Sequence, residues 1–170
     1  LASIDRVSPV GILGAGSRDL NVKPSLSRET ILQWLHELRT YQFNEPTRLG
    51  EKLLALNPSL GESSLIFVLS DLHDPGAIPA LKLLGHRHDI VVIPLRDPAE
   101  DSIPGAGFIR GREVETGREA TLSAKKQFTS LEALTTALKK ASLDHFPVRT
   151  DRPFLASLRL FLQSRNLLSR

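Results

Sequence analysis

Two short apolar runs joined by a helical stretch constrain the fold of this chain more than any other feature. Leu65–Leu69 and Ile90–Leu95 contain no charged residue, and polar residues flank each of them. Such uninterrupted runs are typical of strands covered on both faces, which occur mostly in parallel sheets. Between them, Ala77, Leu81 and Leu84 recur at helical spacing. The chain is therefore predicted to contain a right-handed β-α-β unit.

Patterns on either side of this unit predict further strands and helices. Val7–Leu13 and Asp19–Val22 are predicted strands, and Pro9 indicates an edge or a bulge in the first. Ser27 is the predicted N-cap of a helix that reaches about Tyr41. On that helix, Ile31, Leu35 and Leu38 are predicted to form an apolar stripe, and a short helix is predicted over Leu49–Leu56.

Three further elements are predicted in the C-terminal half. The first is a β-hairpin of Phe108–Ile109 and Ala120–Leu122 around Glu115–Gly117, and the second is a helix carrying Leu131, Leu134 and Leu138 behind a Thr129–Glu132 capping box. The third is a strand over His145–Val148 followed by a last helix carrying Phe154, Leu158, Phe161 and Leu162.

This alternation predicts an α/β fold, a doubly wound and mostly parallel sheet of Rossmann-like type with an inserted β-hairpin. A length of 170 residues, 41% of them hydrophobic, suits one domain, and no repeat or linker divides the chain. Residues 1–170 are accordingly predicted to form a single domain. The chain begins at Leu1 and contains no methionine, which predicts that it is a fragment or a processed piece of a longer protein.

The composition argues against several classes of function. The charge of +3 comes from 22 basic and 19 acidic residues scattered along the chain. Nucleic-acid binders concentrate their bases and add aromatic residues for stacking, whereas this chain has one Trp and one Tyr. Without cysteine there are no disulfides and no cysteine-based zinc sites. No apolar run is long enough to span a bilayer.

Polar and acidic residues follow both apolar runs. They are Ser70, Asp71, His73 and Asp74 after the first run, and Asp97, Glu100 and Asp101 after the second. Open α/β sheets bind ligands at the carboxyl ends of their strands, so these residues are expected at one edge. Oxygen ligands of this kind suit Mg²⁺. For Asp74, before Pro75, capping of the next helix is preferred to ligation. For Asp71, metal or partner contact and a structural role are weighed as nearly equal.

Other motifs favour structural roles. Gly14-Ala-Gly16 resembles the start of a dinucleotide fingerprint, but Asp19 occupies the third glycine position, so a strand-end turn is preferred. His86 and His88 have a spacing that would suit zinc, but closing a helix C-terminus is the preferred interpretation. The sequence has no nucleophile elbow, no zinc-protease motif and no P-loop.

Several stretches together resemble domain-of-unknown-function family 58. They are Val68–Asp71, His88–Glu100 with Ile103–Gly105, and Glu115–Gly117, while Asp5–Val7 and the ending from Thr150 fit the same pattern. The family resembles von Willebrand factor A domains, which bind a divalent ion through an Asp-x-Ser-x-Ser loop, a distant Thr and an Asp after the fourth strand. Asp71 matches that last Asp, and the Asp-x-Ser-x-Ser loop is absent. The resemblance therefore implies an incomplete metal site.

The resemblance also implies partners and a location. Family members often sit beside MoxR-type ATPases and carry N-terminal membrane helices. This implies a MoxR-type ATPase as the protein partner, and a cytoplasmic domain of an inner-membrane-anchored bacterial protein. The missing first strand is central in the related folds. We therefore expect Val7–Leu13 to pair directly with Leu65–Leu69, or another chain to cover the gap, for instance in a homodimer.

The leading hypothesis is a non-catalytic protein-interaction domain of von Willebrand factor A-like type. Asp71 would be its metal ligand, and its contact edge would comprise Ser70, His73, Asp74, Asp97, Glu100 and Asp101. The enzyme alternative is a metal-dependent hydrolase or a nucleotide-binding enzyme that uses the same edge. A purely structural module is the third possibility.

Overall fold

The computed structural model describes residues 8–17, 21–40, 45–60, 63–98, 108–112, 119–123 and 130–165. The chain divides into two compact units, Leu1–Arg48 with Arg112–Arg118, and Leu49–Gly111 with Glu119–Arg170. Among the described helices, none has the length and apolar character needed to cross a membrane. The single domain predicted from the sequence stays a prediction.

The first unit contains a small antiparallel sheet. Strand β1 (Val10–Leu13) pairs with β2 (Asn21–Ser25), and the register shifts between Val10 and Ile12. The irregularity predicted near Pro9 is therefore present. Strand β2 was predicted to end before Pro24 but includes it. A two-stranded sheet consists of edge strands alone, where the missing N–H of proline is tolerated.

Helix α1 (Arg28–Thr40) begins where the sequence predicts. The Ser27 hydroxyl accepts a hydrogen bond from the Thr30 N–H at 3.3 Å, as an N-cap does. The predicted apolar stripe is partly wrong, because Ile31 and Trp34 are buried whereas Leu35 is 49% exposed. The helix buries the Trp34 indole in preference to Leu35, because the indole removes more apolar area from water than a leucine side chain does.

The second unit carries the β-α-β unit. From Leu49 onward, the described elements are helix α2 (Leu49–Leu56), a 3₁₀ turn (Asn57–Ser59), strand β3 (Leu65–Ser70), helix α3 (Ala77–Leu84), strand β4 (Asp89–Arg96), strands β5 (Phe108–Arg112) and β6 (Glu119–Ser123), helix α4 (Leu131–Lys140), strands β7 (Asp144–His145) and β8 (Val148–Arg149), and helix α5 (Leu155–Ser164). The predicted pairing of the hairpin strands is confirmed, since β5 pairs with β6. Its predicted turn at Glu115–Gly117 lies outside the described residues, as does Thr129. The Ser130 hydroxyl caps α4 by accepting from the Ala133 N–H.

Strands β3 and β4 are parallel, as predicted. Their partners run in step from Leu65 beside Asp89 to Ser70 beside Pro94. The prediction that both strands are covered on both faces is correct for β4 and wrong for β3. Leu65, Phe67 and Leu69 all lie on one face of β3 and are exposed. Strand β3 is an edge of its sheet, with β4 as its single partner among the described residues.

The second edge of β4 pairs first with β7 and then with β8, both parallel to it. Val92 lies beside His145 and Leu95 beside Val148, so the same register places Pro94 opposite Pro147. The Val92 and Arg96 carbonyls accept from the Phe146 and Thr150 N–H groups at this edge, so the backbone of Pro94 faces the same edge. Proline has no N–H to donate, which explains why the ladder is interrupted there. The single strand predicted over His145–Val148 is therefore two short ones.

Helix α5 covers one face of this sheet. Leu158 and Phe161 pack against a buried cluster of Val91, Ile93 and Val148. Phe161 also contacts Phe146, with ring centroids 5.3 Å apart. The opposite face of β4 contains Ile90 and Val92, which are buried, and the predicted stripe Ala77, Leu81 and Leu84 of α3 is buried as well. Both faces of the central strand are thus apolar and covered, as in α/β folds.

Between the described residues of Val7–Leu13 and Leu65–Leu69, the predicted pairing is not formed. Strand β1 pairs with β2, and β3 pairs with β4, in separate sheets of the described chain. An antiparallel partner is available to β1 only a few residues further along, so a local hairpin forms at a small entropic cost. Residues 1–7 lie outside the described part.

Arg165 ties the end of α5 to the start of the sheet. One guanidinium nitrogen lies 2.7 Å from a carboxylate oxygen of Asp89 and 2.7 Å from one of Asp144. Burial by itself would lower the pKa of Arg165, but the bonds and charges of the two carboxylates outweigh it and raise the pKa. The side chain is 18% exposed, so the guanidinium is largely removed from water.

We predict that Arg165→Gln lowers the free energy of unfolding by about 1–2 kcal/mol, because two charge-assisted hydrogen bonds are lost. Arg159→Gln, at an exposed position of the same helix, is the matched control and should change it by less than about 0.5 kcal/mol. Urea denaturation measures both. Equal midpoints for the two variants would contradict the role assigned to Arg165.

Candidate functional site

The parallel ladder brings the predicted site residues to one rim of the sheet. Strand β3 ends at Ser70 and is followed by Asp71, while β4 ends at Arg96 and is followed by the exposed Asp97. Ser70 lies beside Pro94 in the register. Asp71 and Asp97 therefore leave neighbouring strands at the same edge. Glu100 and Asp101 lie outside the described residues.

The loop after β3 is shaped by its own polar side chains. The Ser70 hydroxyl accepts a hydrogen bond from the Leu72 N–H at 3.0 Å, and Asp71 Oδ1 accepts one from the His73 N–H at 3.2 Å. The second oxygen of Asp71 lies 3.8 Å from His73 Nε2. The Asp71 and His73 side chains remain 43% and 39% exposed. The loop is therefore held by local bonds while both polar groups face water.

Leu72 adopts an uncommon backbone conformation at the centre of this loop. Its φ is 60°, in the left-handed region, and its side chain is 9% exposed. A residue other than glycine there costs about 1–3 kcal/mol, and it persists only when the surroundings fix it. Burial of the leucine and the bonds from Ser70 and Asp71 provide that constraint. The strain is concentrated at the point where the loop presents Asp71.

Asp74 has a structural role, as the sequence predicts, but at a different helix. Its Oδ2 accepts from the Gly50 N–H and its Oδ1 from the Gly76 N–H, both at 2.8 Å. Gly50 is the second residue of α2, so the carboxylate satisfies a free N–H at that helix's start. The predicted N-cap of α3 is wrong, because Gly76 occupies that position without a side-chain cap.

Gly50 is required where α2 meets the Asp74 turn. A Cβ at this position would lie 2.6 Å from the Gly76 carbonyl carbon, which is a backbone atom that cannot move aside cheaply. The close approach lets the Gly50 N–H reach Asp74. Sequence reasoning missed this contact because it joins residues 24 apart, and no local pattern marks such a pair.

The described residues do not fit a complete metal site. They contain no group of three or more His, Asp or Glu side chains arranged to hold an ion. Both oxygens of Asp74 already accept backbone hydrogen bonds. Asp71 therefore offers one exposed carboxylate, whereas Mg²⁺ in proteins takes near-octahedral oxygen coordination. No chemistry that depends on a bound ion follows from this arrangement.

In the first unit, the glycine turn at Gly14–Gly16 is closed by an acidic side chain. Ser17 Oγ donates a hydrogen bond to Glu45 Oε2 at 2.8 Å, and the Glu45 carboxylate occupies the space where a Cβ of Gly16 would lie. The Arg48 N–H also donates to the Ala15 carbonyl. A carboxylate against the turn would repel phosphate, which favours the strand-end turn over nucleotide binding.

The two histidines with zinc-like spacing both contribute to the end of α3. The His86 and His88 N–H groups donate to the Leu83 and Leu84 carbonyls. The His88 ring is 5% exposed, and its Nδ1 accepts from the Ser64 N–H at 3.3 Å. This nitrogen is the acceptor in a structural bond that links α3 to the start of β3.

Sequence reasoning missed a basic group at the rim. Arg96 is 4% exposed although it ends β4, and its carbonyl accepts from the Thr150 N–H.

Next to Arg96 in the register, Arg149 Nε donates to Asp151 Oδ1 at 3.1 Å. This bond lowers the pKa of Asp151. Any stabilisation from the pair is complete above the carboxyl's usual pKa and is lost as the pH falls through the lowered value.

Comparison with known proteins gives a family. The family model described as "Protein of unknown function DUF58" matches residues 3–141. The chain belongs to this family. No curated protein and no solved structure matches it. The match covers β3, β4 and the loop that carries Asp71, so the rim belongs to the DUF58 part of the chain.

We predict that Asp74→Ala lowers the free energy of unfolding by about 1–3 kcal/mol, because two backbone N–H groups lose their acceptor. Asp74→Asn keeps one carbonyl oxygen and should lose roughly half as much. Thermal unfolding followed by circular dichroism measures both. An unchanged midpoint in Asp74→Ala would show that the carboxylate does not hold α2 against this turn.

Proposed function

We propose that this DUF58 chain is a non-catalytic protein-interaction domain of von Willebrand factor A-like type, and that its partner binds the rim around Asp71. The proposal is supported most by one observation: a parallel ladder leads two neighbouring strands to the same edge, where Asp71 and Asp97 follow them. Loops at the carboxyl ends of such strands are the usual ligand-contact surface of open α/β sheets.

The loop geometry adds to this support. The Asp71 and His73 side chains are partly exposed, yet the loop is fixed by hydrogen bonds from the Leu72 and His73 N–H groups to the Ser70 and Asp71 side chains, and by the buried Leu72. A preorganised loop loses less conformational entropy on binding than a flexible one. Backbone strain at such a position is a feature of many binding loops. In this proposal Asp71 and His73 are the central contacts, and Ser70 and Asp74 maintain the loop.

In this proposal a divalent ion is bound between the chain and its partner, with ligands from both. Asp71 supplies one carboxylate ligand, and a partner carboxylate would supply another, so Mg²⁺ would be held in the complex and weakly by the chain alone. We predict that isothermal titration of the isolated chain with MgCl₂ gives a dissociation constant weaker than about 1 mM. Micromolar binding to the isolated chain would contradict this part of the proposal.

A MoxR-type ATPase is the partner that we propose, on the basis of the family resemblance. The test measures binding of a purified MoxR-type ATPase to the immobilised chain, with Mg²⁺ and then with EDTA. We predict that Asp71→Asn weakens binding roughly tenfold, as expected for one central charged contact. Glu132→Gln, an exposed acid on α4, is the matched control and should bind as the unchanged chain does.

Two outcomes would overturn the proposal. If Asp71→Asn binds as tightly as Glu132→Gln, the rim is not the contact surface. If the chain binds a nucleotide from a panel at micromolar concentration, and Asp71→Asn abolishes that binding, the rim is the site of a nucleotide-binding enzyme instead.

A further inference from the structure

One face of helix α1 carries two leucines between two arginines. The four residues are Arg28, Leu32, Leu35 and Arg39, and we call this row the α1 stripe. At 3.6 residues per turn, their spacing confines the four side chains to a sector of roughly 60° around the helix axis. All four are exposed, and the two leucines are 50% and 49% exposed.

The α1 stripe is separate from the face through which the helix is buried. Ile31 and Trp34 are 7% and 5% exposed, so α1 already has an apolar face that is removed from water. The leucines of the stripe add apolar area beyond that face. Residues three apart on a helix are neighbours, so Leu32 and Leu35 form one continuous apolar patch rather than two isolated surface residues.

The charges around α1 are separated by sign. Glu29 and Glu37 lie roughly 100° and 180° from Arg28 around the helix axis, outside the stripe. Among the described residues, no acidic side chain forms an ion pair with Arg28 or Arg39. Arg28 is also the first residue of α1, where a positive charge opposes the helix dipole. Helix stability therefore does not account for this arginine.

The two arginines determine which kind of partner suits the stripe. Pairing with the α1 stripe of a second copy would place arginine against arginine in either orientation, and like charges repel. A lipid surface is disfavoured as well, because membrane-surface helices bury a broad apolar face, whereas this one has two leucines with Glu29 close to Leu32. A helix with two acidic residues around an apolar pair complements both the charge and the apolar patch.

We propose that the α1 stripe binds an acidic amphipathic helix of a partner protein. The partner helix carries apolar residues against the leucines and an acidic residue against each arginine, at the spacing of the stripe itself. Matching rows are then the same length, about 16 Å from the first charge to the last. The contact area is small, so we expect a dissociation constant on the order of 100 µM. The stripe contains no residue of the rim, so the proposal does not depend on what binds at Asp71.

The test uses the whole chain and a synthetic helical peptide of about 20 residues that carries glutamates and leucines at the spacing of the stripe. Fluorescence anisotropy measures the binding. A second peptide with lysines in place of the two glutamates should bind roughly tenfold more weakly, because its charges repel the arginines. Binding of the glutamate peptide that is undetectable at about 1 mM, or equal to that of the lysine peptide, would overturn the proposal.

Variants of the chain locate the binding on α1. Leu32→Gln should weaken binding of the glutamate peptide roughly fivefold, because an apolar contact is lost. Leu54→Gln, at a leucine of α2 that is 49% exposed, is the matched control and should bind the peptide as the unchanged chain does. Circular dichroism establishes that both variants are folded. Equal affinities for Leu32→Gln and Leu54→Gln would show that the peptide binds elsewhere.

A charge reversal on the chain gives a second measurement. Arg28→Glu together with Arg39→Glu should invert the preference, so that the lysine peptide binds more tightly than the glutamate peptide. If the unchanged chain binds phosphatidylglycerol vesicles but not the glutamate peptide, and the double variant binds neither, the stripe is a lipid-binding face and the proposal is wrong. Rim binding is measured with Asp71→Asn and Glu132→Gln, which leave α1 unchanged, so failure of either proposal can be recognised separately.

Discussion

The parallel ladder between Leu65–Ser70 and Asp89–Arg96 determines where the rest of the second unit can lie. It forces both strands to end at the same edge, because parallel strands in register share their direction. It also fixes which backbone groups of β3 face β4 and which face outward. The rim around Asp71 is a consequence of this one pairing.

Contacts at the two ends of the ladder stabilise it in different ways. At the amino end, Arg165 binds Asp89 and Asp144, and His88 accepts a hydrogen bond from Ser64. At the carboxyl end, Asp74 binds backbone N–H groups that belong to two separate segments. These polar contacts use partly buried groups, and their loss would leave donors or acceptors without partners. Asp71 and His73 differ because their side chains are partly exposed and, in the bonds described above, contact only their own loop, which makes them the candidates for contact with a partner.

Much of the second unit could be predicted from local patterns. The apolar runs predicted β3 and β4, the short helix predicted over Leu49–Leu56 has those bounds in the structure, and the spacing of Ala77, Leu81 and Leu84 predicted the buried stripe of α3. The exposure of one face of β3 could not be predicted, because the apolar pattern of Leu65–Leu69 is the same whether a helix covers that face or not. The interruption between β7 and β8 depends on the backbone of Pro94 facing that edge of β4, and the register is needed to see this.

For the candidate site, the sequence predicted the rim position of Asp71 and Asp97 and the structural role of Asp74. It could not predict that Asp74 would bind the start of α2, because that contact depends on the close approach of Gly50 to Gly76. The burial of Arg96 could not be predicted either, since an arginine at a strand end is usually exposed. Contacts between distant segments follow from tertiary packing, and a single sequence does not specify them locally.

The most direct test of the account is the pattern of nuclear Overhauser effects between the two central strands. Parallel pairing predicts effects between Hα and amide protons around Phe67 and Val91, with no close Hα–Hα contacts between the strands. Strong Hα–Hα effects would demonstrate antiparallel pairing. Asp71 and Asp97 would then lie at opposite ends of the sheet, which would contradict the account.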